Sequence, residues 1–348
     1  MKHATVAVFV PHLGCPHRCS FCDQRAITGR QRAPAPADVR AAAEAGLRTL
    51  GPSAANAELA FFGGSFTAIP AMYRRILLEA AWPYVKSGAY RGIRLSTRPD
   101  AIDQTILDEL RAFGVTTVEL GAQSMADRVL QQNGRGHTAA QVIKAAGLVR
   151  EAGFSLGLQM MTGLPGSTPE SDRATARAFA ALSPAEVRIY PALVLRGTDL
   201  AAWWASGQYV PQTLEDAVAL CADLLDYFEA HDIRVIRLGL HASPQLEAGY
   251  LAGPWHPAFG ELCRARQYRT RVQEALLTCG LSGGPQQVQI APADQSKALG
   301  QRRCNVRAFA AQGFALSFLP QPDLPRGCFQ LEDASGQLRR FRVTPTIP

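Results

Sequence analysis

Short apolar runs alternate with amphipathic stretches from the N-terminus to about residue 195, and this rhythm limits the fold more than any other property of the chain. A strand in a parallel sheet is covered on both faces and reads as an unbroken apolar run, whereas its crossover helix reads as a stripe with a 3.6-residue period. Strands are predicted at 4–10, 57–62, 92–96, 115–121, 154–161 and 185–194, with helices over 36–50, 71–87, 101–113, 137–152 and 168–182. Pro36 suits a first helical turn, and Asp100 and Thr168 are cap-type residues. Six strand-helix units make an α/β protein, either an open doubly wound sheet or a partial barrel. Both arrangements put functional loops at the carboxyl ends of the strands.

The composition excludes several other classes. With 348 residues, 47% of them hydrophobic, and a net charge of only +7, the chain is neither disordered nor, lacking an apolar run of about 18 residues, expected in a membrane. The stretch Ala4 to Val10 ends at a Pro-His pair without a small-residue cleavage site, so it reads as a strand and not as a signal peptide. Eight cysteines are too few for a secreted disulfide scaffold of this length, and a reduced, cytoplasmic setting is expected.

Three parts are expected: a barrel over 1–240, a connecting helical and loop segment over 241–282 that covers it, and a small basic α+β domain over 283–348. The last part reads β-α-α-β through QVQIA, ADQSKALG, CNVRAFAAQ and FALSFLP. Residues 256–307 hold eight Lys and Arg against three Asp and Glu, so most of the net charge is concentrated there. A basic concentration of this kind is the electrostatic footprint of a nucleic-acid face.

Cys15, Cys19 and Cys22 crowd together immediately after the first strand, whereas the other five cysteines are scattered. Three soft ligands from one loop suit an iron-sulfur cluster or zinc. A [4Fe–4S] cube held by three thiolates keeps one iron open for an exchangeable ligand. Structural zinc requires a fourth protein ligand, which His12 or His17 could supply, although no second closely spaced ligand pair occurs.

CPHRCSFC, with Phe21 before the last cysteine, resembles the CxxxCxφC signature of the radical S-adenosylmethionine (SAM) enzymes, and the likeness extends over roughly residues 5–240. The resemblance implies a partial (βα)6 TIM-like barrel and a [4Fe–4S] cluster on Cys15, Cys19 and Cys22. It further implies SAM bound at the open iron, and cleavage of SAM to a 5′-deoxyadenosyl radical by an electron from a donor such as ferredoxin or flavodoxin. Gly63, Gly64, Ser65 and Thr67 stand where the family has its glycine-rich strand end, with Ser65 in place of the frequent Glu. By the same resemblance Arg98, Asp100, Glu119, Gln123, Ser124, Arg135 and His137 face SAM or substrate, while Gln159 and Met161 line the adenosine side.

Within the superfamily, VPHLGCPHRCSFCDQRAITG, FFGGSFTAIP, STRPD, VELGAQS, RGHT and MMTGLPG are most similar to the radical SAM domain of the Elongator catalytic subunit. The acetyltransferase-like domain of that family is not expected in the residues after the barrel. The likeness implies modification of an RNA base, with tRNA as partner through the basic C-terminal region. SKALGQRRCNV resembles the core of a KH module, a degenerate one in which Arg303 replaces the second glycine of the GxxG loop. A more distant similarity to oxygen-independent coproporphyrinogen III oxidase keeps a small-metabolite substrate open, and a non-catalytic RNA-binding protein with structural zinc is the rival from another class.

Overall fold

The computed structural model describes residues 4–10, 15, 19–22 and 32–344. In chain order its elements are β1 (Thr5–Val10), α1 (Pro36–Leu50), β2 (Glu58–Gly63), α2 (Ala71–Lys86), β3 (Gly92–Thr97), α3 (Gln104–Ala112) and β4 (Val115–Gln123). There follow α4 (Asp127–Gln132), α5 (Ala139–Glu151), β5 (Ser155–Thr162), α6 (Pro169–Ala181), β6 (Glu186–Pro191), β7 (Val194–Leu195) and α7 (Asp199–Ala205). The remainder comprises α8 (Leu214–Ala230), β8 (Arg234–Leu238), α9 (Pro244–Gly249), β9 (Tyr250–Ala252), α10 (Phe259–Thr278), β10 (Gly284–Ile290), α11 (Gln295–Leu299), α12 (Cys304–Ala310), β11 (Phe314–Pro320), β12 (Cys328–Glu332) and β13 (Leu338–Arg342). Two compact units result, Met1–Gln212 with His241–Pro254, and Thr213–Leu240 with Trp255–Pro348.

In the first unit β1 to β6 lie side by side in sequence order, each parallel to the next. An open doubly wound sheet reverses its strand order at a switch point, so this unbroken progression selects the TIM-like partial barrel over the open sheet. The strands bury apolar side chains such as Val10, Phe61, Leu95, Leu120, Leu158 and Ile189, which is why each reads as an apolar run. Helix starts follow local chemistry. Thr138 and Thr168 cap α5 and α6, their hydroxyls accepting from the N–H groups of Gln141 and Ser171, and Pro36 begins α1.

Several boundaries differ from expectation for identifiable reasons. Residues Pro99–Ala101 form a 3-10 turn, so α3 starts later and is capped by Asp103, which accepts from Ile106 N–H at 2.8 Å, while Asp100 pairs with Arg98. The expected sixth strand ends at Pro191, and β7 pairs antiparallel with β9 instead. β4 extends to Gln123 through an irregularity in its pairing with β5 between Leu120 and Gln123, and α4 follows it unforeseen.

The second unit contains a four-stranded sheet of order β11-β10-β12-β13, with β10 parallel to β11 and β12 antiparallel to β10. Its core gathers Tyr268, Val272 and Leu276 of α10 with Val288, Phe309, Phe329 and Leu331. The β-α-α-β reading is present as β10, α11, α12 and β11. At the turn between the two helices Arg302 and Arg303 hold φ of 50° and 59°, the left-handed region that a glycine enters without strain. Residues 213–240, expected with the barrel, group with the second unit because α8 packs along α10 through contacts such as Gln267 to Asp226 and Glu229. Among the described residues no helix is long and apolar enough to cross a membrane.

Candidate active site

The carboxyl end of the parallel sheet is where β1, β2, β3 and β4 deliver the residues that matter. The Gly64 N–H donates to Val10 O at 2.7 Å, tying the start of the glycine-rich segment to the end of β1. Gly63 has φ of 112°, a backbone that any Cβ would strain. Beyond it Ser65, Thr67 and Thr97 form a buried hydroxyl chain, with Ser65 Oγ and Thr97 Oγ1 2.8 Å apart. Ser65 Oγ also accepts from the Arg98 N–H at 3.1 Å. Arg74 secures this turn from below, donating to Thr67 O at 2.7 Å while it pairs with Glu109.

Two guanidinium groups flank the cysteines. Arg135 Nη1 donates to Cys19 Sγ at 3.2 Å, and its Nη2 donates to Gly121 O at 2.5 Å. Although Cys15 as a residue is exposed, its sulfur is enclosed enough that burial and the adjacent Cys19 raise its pKa, against the pull of Arg98, Arg135 and the Ser65 backbone. Arg98 is itself oriented by Asp100, its Nε donating at 2.9 Å. Such positive charge favours thiolate over thiol, as iron coordination requires. Three soft thiols from one loop beside two guanidiniums fit a thiolate-bound iron-sulfur group. Among the described residues no three His, Cys, Asp or Glu side chains already converge as a metal site. His12 and His17, the candidate zinc ligands, lie outside the described residues.

The cysteine segment is held at its other end by Asn133. Ser20 N–H donates to Asn133 O, Ser20 Oγ donates to Asn133 Oδ1 at 2.7 Å, and Asn133 Nδ2 reaches Pro165 O at 3.0 Å in the segment after β5. Phe21 packs against Val129, Met161, Leu164 and Ala192 on one side, and near Leu200 and Tyr209 on the other. The aromatic residue before the last cysteine thus anchors the segment hydrophobically, and Met161 serves as part of its seat.

The remaining expected residues divide. Gln159 Nε2 donates to Gln123 Oε1 at 3.2 Å, and Gln123 holds φ of 69°, a rare backbone for a residue with a side chain. Ser124 is used locally, its hydroxyl accepting from Ala126 N–H at 3.1 Å. His137 is buried, its Nε2–H donating to Ala122 O at 3.1 Å; burial, then Arg135, hold its pKa down at about 4, so the ring is neutral at neutral pH. Glu119 is taken up deeper in the strands, where both oxygens meet Arg94 and Arg188 at 2.6 Å.

That ion-pair network is what the sequence reading missed. Arg94, 1% exposed, binds Glu58 at 2.8 Å and also touches Glu119 and Glu186, while Arg188 stacks over Phe62 with 5.0 Å to the ring centroid. Burial raises the Glu58 pKa, but Arg94, Thr116 and Thr117 outweigh it and hold the carboxyl at about 2. The available signal was charge inside apolar runs, at Glu58 in ELAFF, Arg94 in GIRLST, and Glu186 and Arg188 in EVRIYP. Asp172 was missed as well. Buried and accepting from Gly163 N–H at 3.0 Å, it is pushed up by burial to about 6.

The chain matches the radical SAM superfamily over residues 9–179 and the radical SAM C-terminal domain over residues 184–271. It belongs to the radical SAM superfamily. A radical SAM enzyme works with a [4Fe–4S] cluster and SAM, and the thiol-rich end of this sheet is chemically matched to both. The tRNA uridine(34) acetyltransferase of Dehalococcoides mccartyi is 31% identical over 252 residues, covering 63% of this chain and 55% of that protein. Human Elongator complex protein 3 is 32% identical over 199 residues, covering 51% of this chain and 36% of its own length. The chain therefore spans about half the length, or less, of these relatives. The structure of the Methanocaldococcus infernus Elp3 with an N-terminal deletion superposes with a TM-score of 0.61 at 24% identity, over 80% of this chain and 63% of that one, and shows the same fold.

Proposed function

We propose that this radical SAM enzyme modifies an RNA base, with tRNA as its substrate, and that Cys15, Cys19 and Cys22 hold its [4Fe–4S] cluster. When bound, the cluster supplies the electron that cleaves SAM, and SAM supplies the hydrogen-abstracting group. The observation that carries the assignment is Arg135, which binds Cys19 and β4 at once and so brings a fixed positive charge to the thiols. Arg98 adds a second charge, oriented by Asp100.

In this reading Gly63, Gly64 and Ser65 form the backbone cradle for SAM, with Thr67 and Thr97 fixing its position by hydroxyl bonds. Gln123 and Gln159 present amides on the same side, and Phe21 with Met161 closes the apolar side and excludes water. The tRNA substrate is supported by similarity to a tRNA uridine(34) acetyltransferase and by the basic stretch 256–307. The described cysteines form no disulfide, which fits a reducing, cytoplasmic setting in which a ferredoxin or flavodoxin supplies electrons.

The test is anaerobic reconstitution with iron and sulfide, followed by measurement of 5′-deoxyadenosine from SAM and dithionite, with and without bulk tRNA. Product that is lost in Cys15→Ala, Cys19→Ala and Cys22→Ala, kept in Cys221→Ala, and increased by tRNA is expected. A full cluster in Cys19→Ala removes the ligand assignment, and indifference to tRNA favours a small-molecule substrate.

A further inference from the structure

Five arginines of the second unit gather where α10 meets the turn between α11 and α12. Arg266 and Arg269 lie three residues apart and so share one face of α10, while Arg302, Arg303 and Arg307 stand on the turn and on α12. The two sets are joined by the buried Asn305, whose Nδ2 reaches Ala265 O, next to Arg266, at 2.9 Å, and Lys297 O and Ala298 O at 3.0 Å. Arg302, Arg303 and Arg307 are exposed, and Arg266 and Arg269 are half-buried.

Two features set this face apart from an ordinary solvated surface. First, its charge is uncompensated. Carboxylates around α10 are taken elsewhere, Glu229 by Arg264, Asp226 and Glu274 by Arg271, and Asp294 by Lys297. None of the five arginines forms an ion pair among the described residues. Burial and then Arg266 hold the Arg269 pKa down, with Cys304 and Glu215 only partly opposing them. Second, the turn is strained. Arg302 and Arg303 hold left-handed φ and ψ of 50° and 33° and of 59° and 33°, which side chains with a Cβ adopt at a cost. The neighbours impose that conformation: Asn305 from within, the Arg303 N–H by donating to Gly300 O at 3.0 Å, and Arg307 Nη1 by donating to Arg302 O at 2.5 Å. Like charges held together on a strained backbone, without acids between them, give up stability that a polyanion would restore.

We propose that this face binds the phosphate backbone of single-stranded RNA, with Arg302 and Arg303 reaching it from the turn and Arg266 and Arg269 from α10. The proposal rests on the RNA reading of the enzyme and names the surface that carries it. In a GxxG loop the protein backbone itself approaches the nucleic acid. Here arginine side chains occupy the turn, and their guanidinium groups, rigid forks that match phosphate oxygens, take over that contact.

The experiment is fluorescence anisotropy of the full chain with a labelled ten-residue uridine oligonucleotide over a range of salt. The double variant Arg302→Gln with Arg303→Gln is expected to weaken binding about tenfold and to flatten the slope of log affinity against log salt by about 1.4, or about 0.7 for each phosphate released. Arg266→Gln with Arg269→Gln should do the same from the helix side. Arg40→Gln with Arg48→Gln, which removes equal charge from the exposed face of α1, should change neither quantity. Arg303→Gly separates function from folding: glycine enters φ of 59° without strain, so the thermal midpoint should rise while RNA affinity falls. Wild-type affinity and slope in both double variants, or an equal loss in the α1 control, overturn this inference alone. Variants that keep RNA affinity but lose binding to phosphatidylglycerol vesicles assign the face to a lipid surface and overturn it as well. Failure of the wild-type chain to bind any RNA overturns the RNA reading together with it.

Discussion

Arg94→Met asks how much the barrel depends on its buried ion-pair network. Arg94 lies within ion-pair reach of Glu58, Glu119 and Glu186, and none of the four is more than 3% exposed. Methionine preserves most of the volume and leaves three carboxylates facing a missing cation. Removing one partner from a buried pair costs about 3–5 kcal/mol, which for a unit of this size lowers Tm by on the order of 10 °C. The pH dependence carries the sign. Glu58 is held at about 2, below its unfolded value, so the stability it contributes is complete above pH of about 4.3 and is lost as pH falls toward 2. With methionine at 94 a main lowering interaction is lost and that pKa rises from about 2, although Thr116, Thr117 and Arg91 still hold the carboxylate, so the variant's deficit is greatest at neutral pH and shrinks as acid protonates the carboxyl. Urea unfolding followed by circular dichroism between pH 4 and 8 measures both quantities. A deficit below about 1 kcal/mol at pH 7, or one that does not change with pH, refutes the reasoning.

Gly157→Ala places a Cβ 2.8 Å from Glu119 Cγ, and Glu119 cannot retreat because Arg94 and Arg188 hold both oxygens; a loss of about 1–3 kcal/mol is expected in the same unfolding assay. Asn133→Ala removes the acceptor of Ser20 Oγ and the donor to Pro165 O, so iron retained after reconstitution should fall while the far-ultraviolet spectrum is unchanged; full iron content would show that the segment is held elsewhere. The His137 ring should titrate near pH 4 by nuclear magnetic resonance. Because its folded pKa lies below the unfolded one, the stability it gives is present above about pH 6.5 and lost as pH falls to 4.

The strands and helices of the first unit were legible because each has one environment along its length. Leu59 to Phe61 are covered on both faces, Val8 and Val10 are buried on one face of β1, and Thr138 and Thr168 announce helix starts by chemistry that acts over three residues. The cysteine segment was legible for a similar reason, since its three thiols lie within eight residues. What escaped was whatever depends on partners far along the chain. Arg94 acquires its meaning from Glu186, and Asn133 from Ser20, across separations that no local pattern records. The grouping of 213–240 with the second unit escaped for the same reason, because α8 has the same amphipathic stripe whichever surface it covers.

The irregular end of β4 determines more than the course of one strand. Between Leu120 and Gln123 the ladder to β5 loses its step, and two carbonyls there serve side chains: Gly121 O receives Arg135 and Ala122 O receives His137. The left-handed backbone at Gln123 is the hinge of that departure. A chain shortened by one residue here would pair more regularly and at the same stroke leave the arginine that grips Cys19 without its anchor. The extra residue therefore works as a spacer gauge: the length of this strand sets the reach of Arg135 and His137, side chains that lie beyond it in sequence.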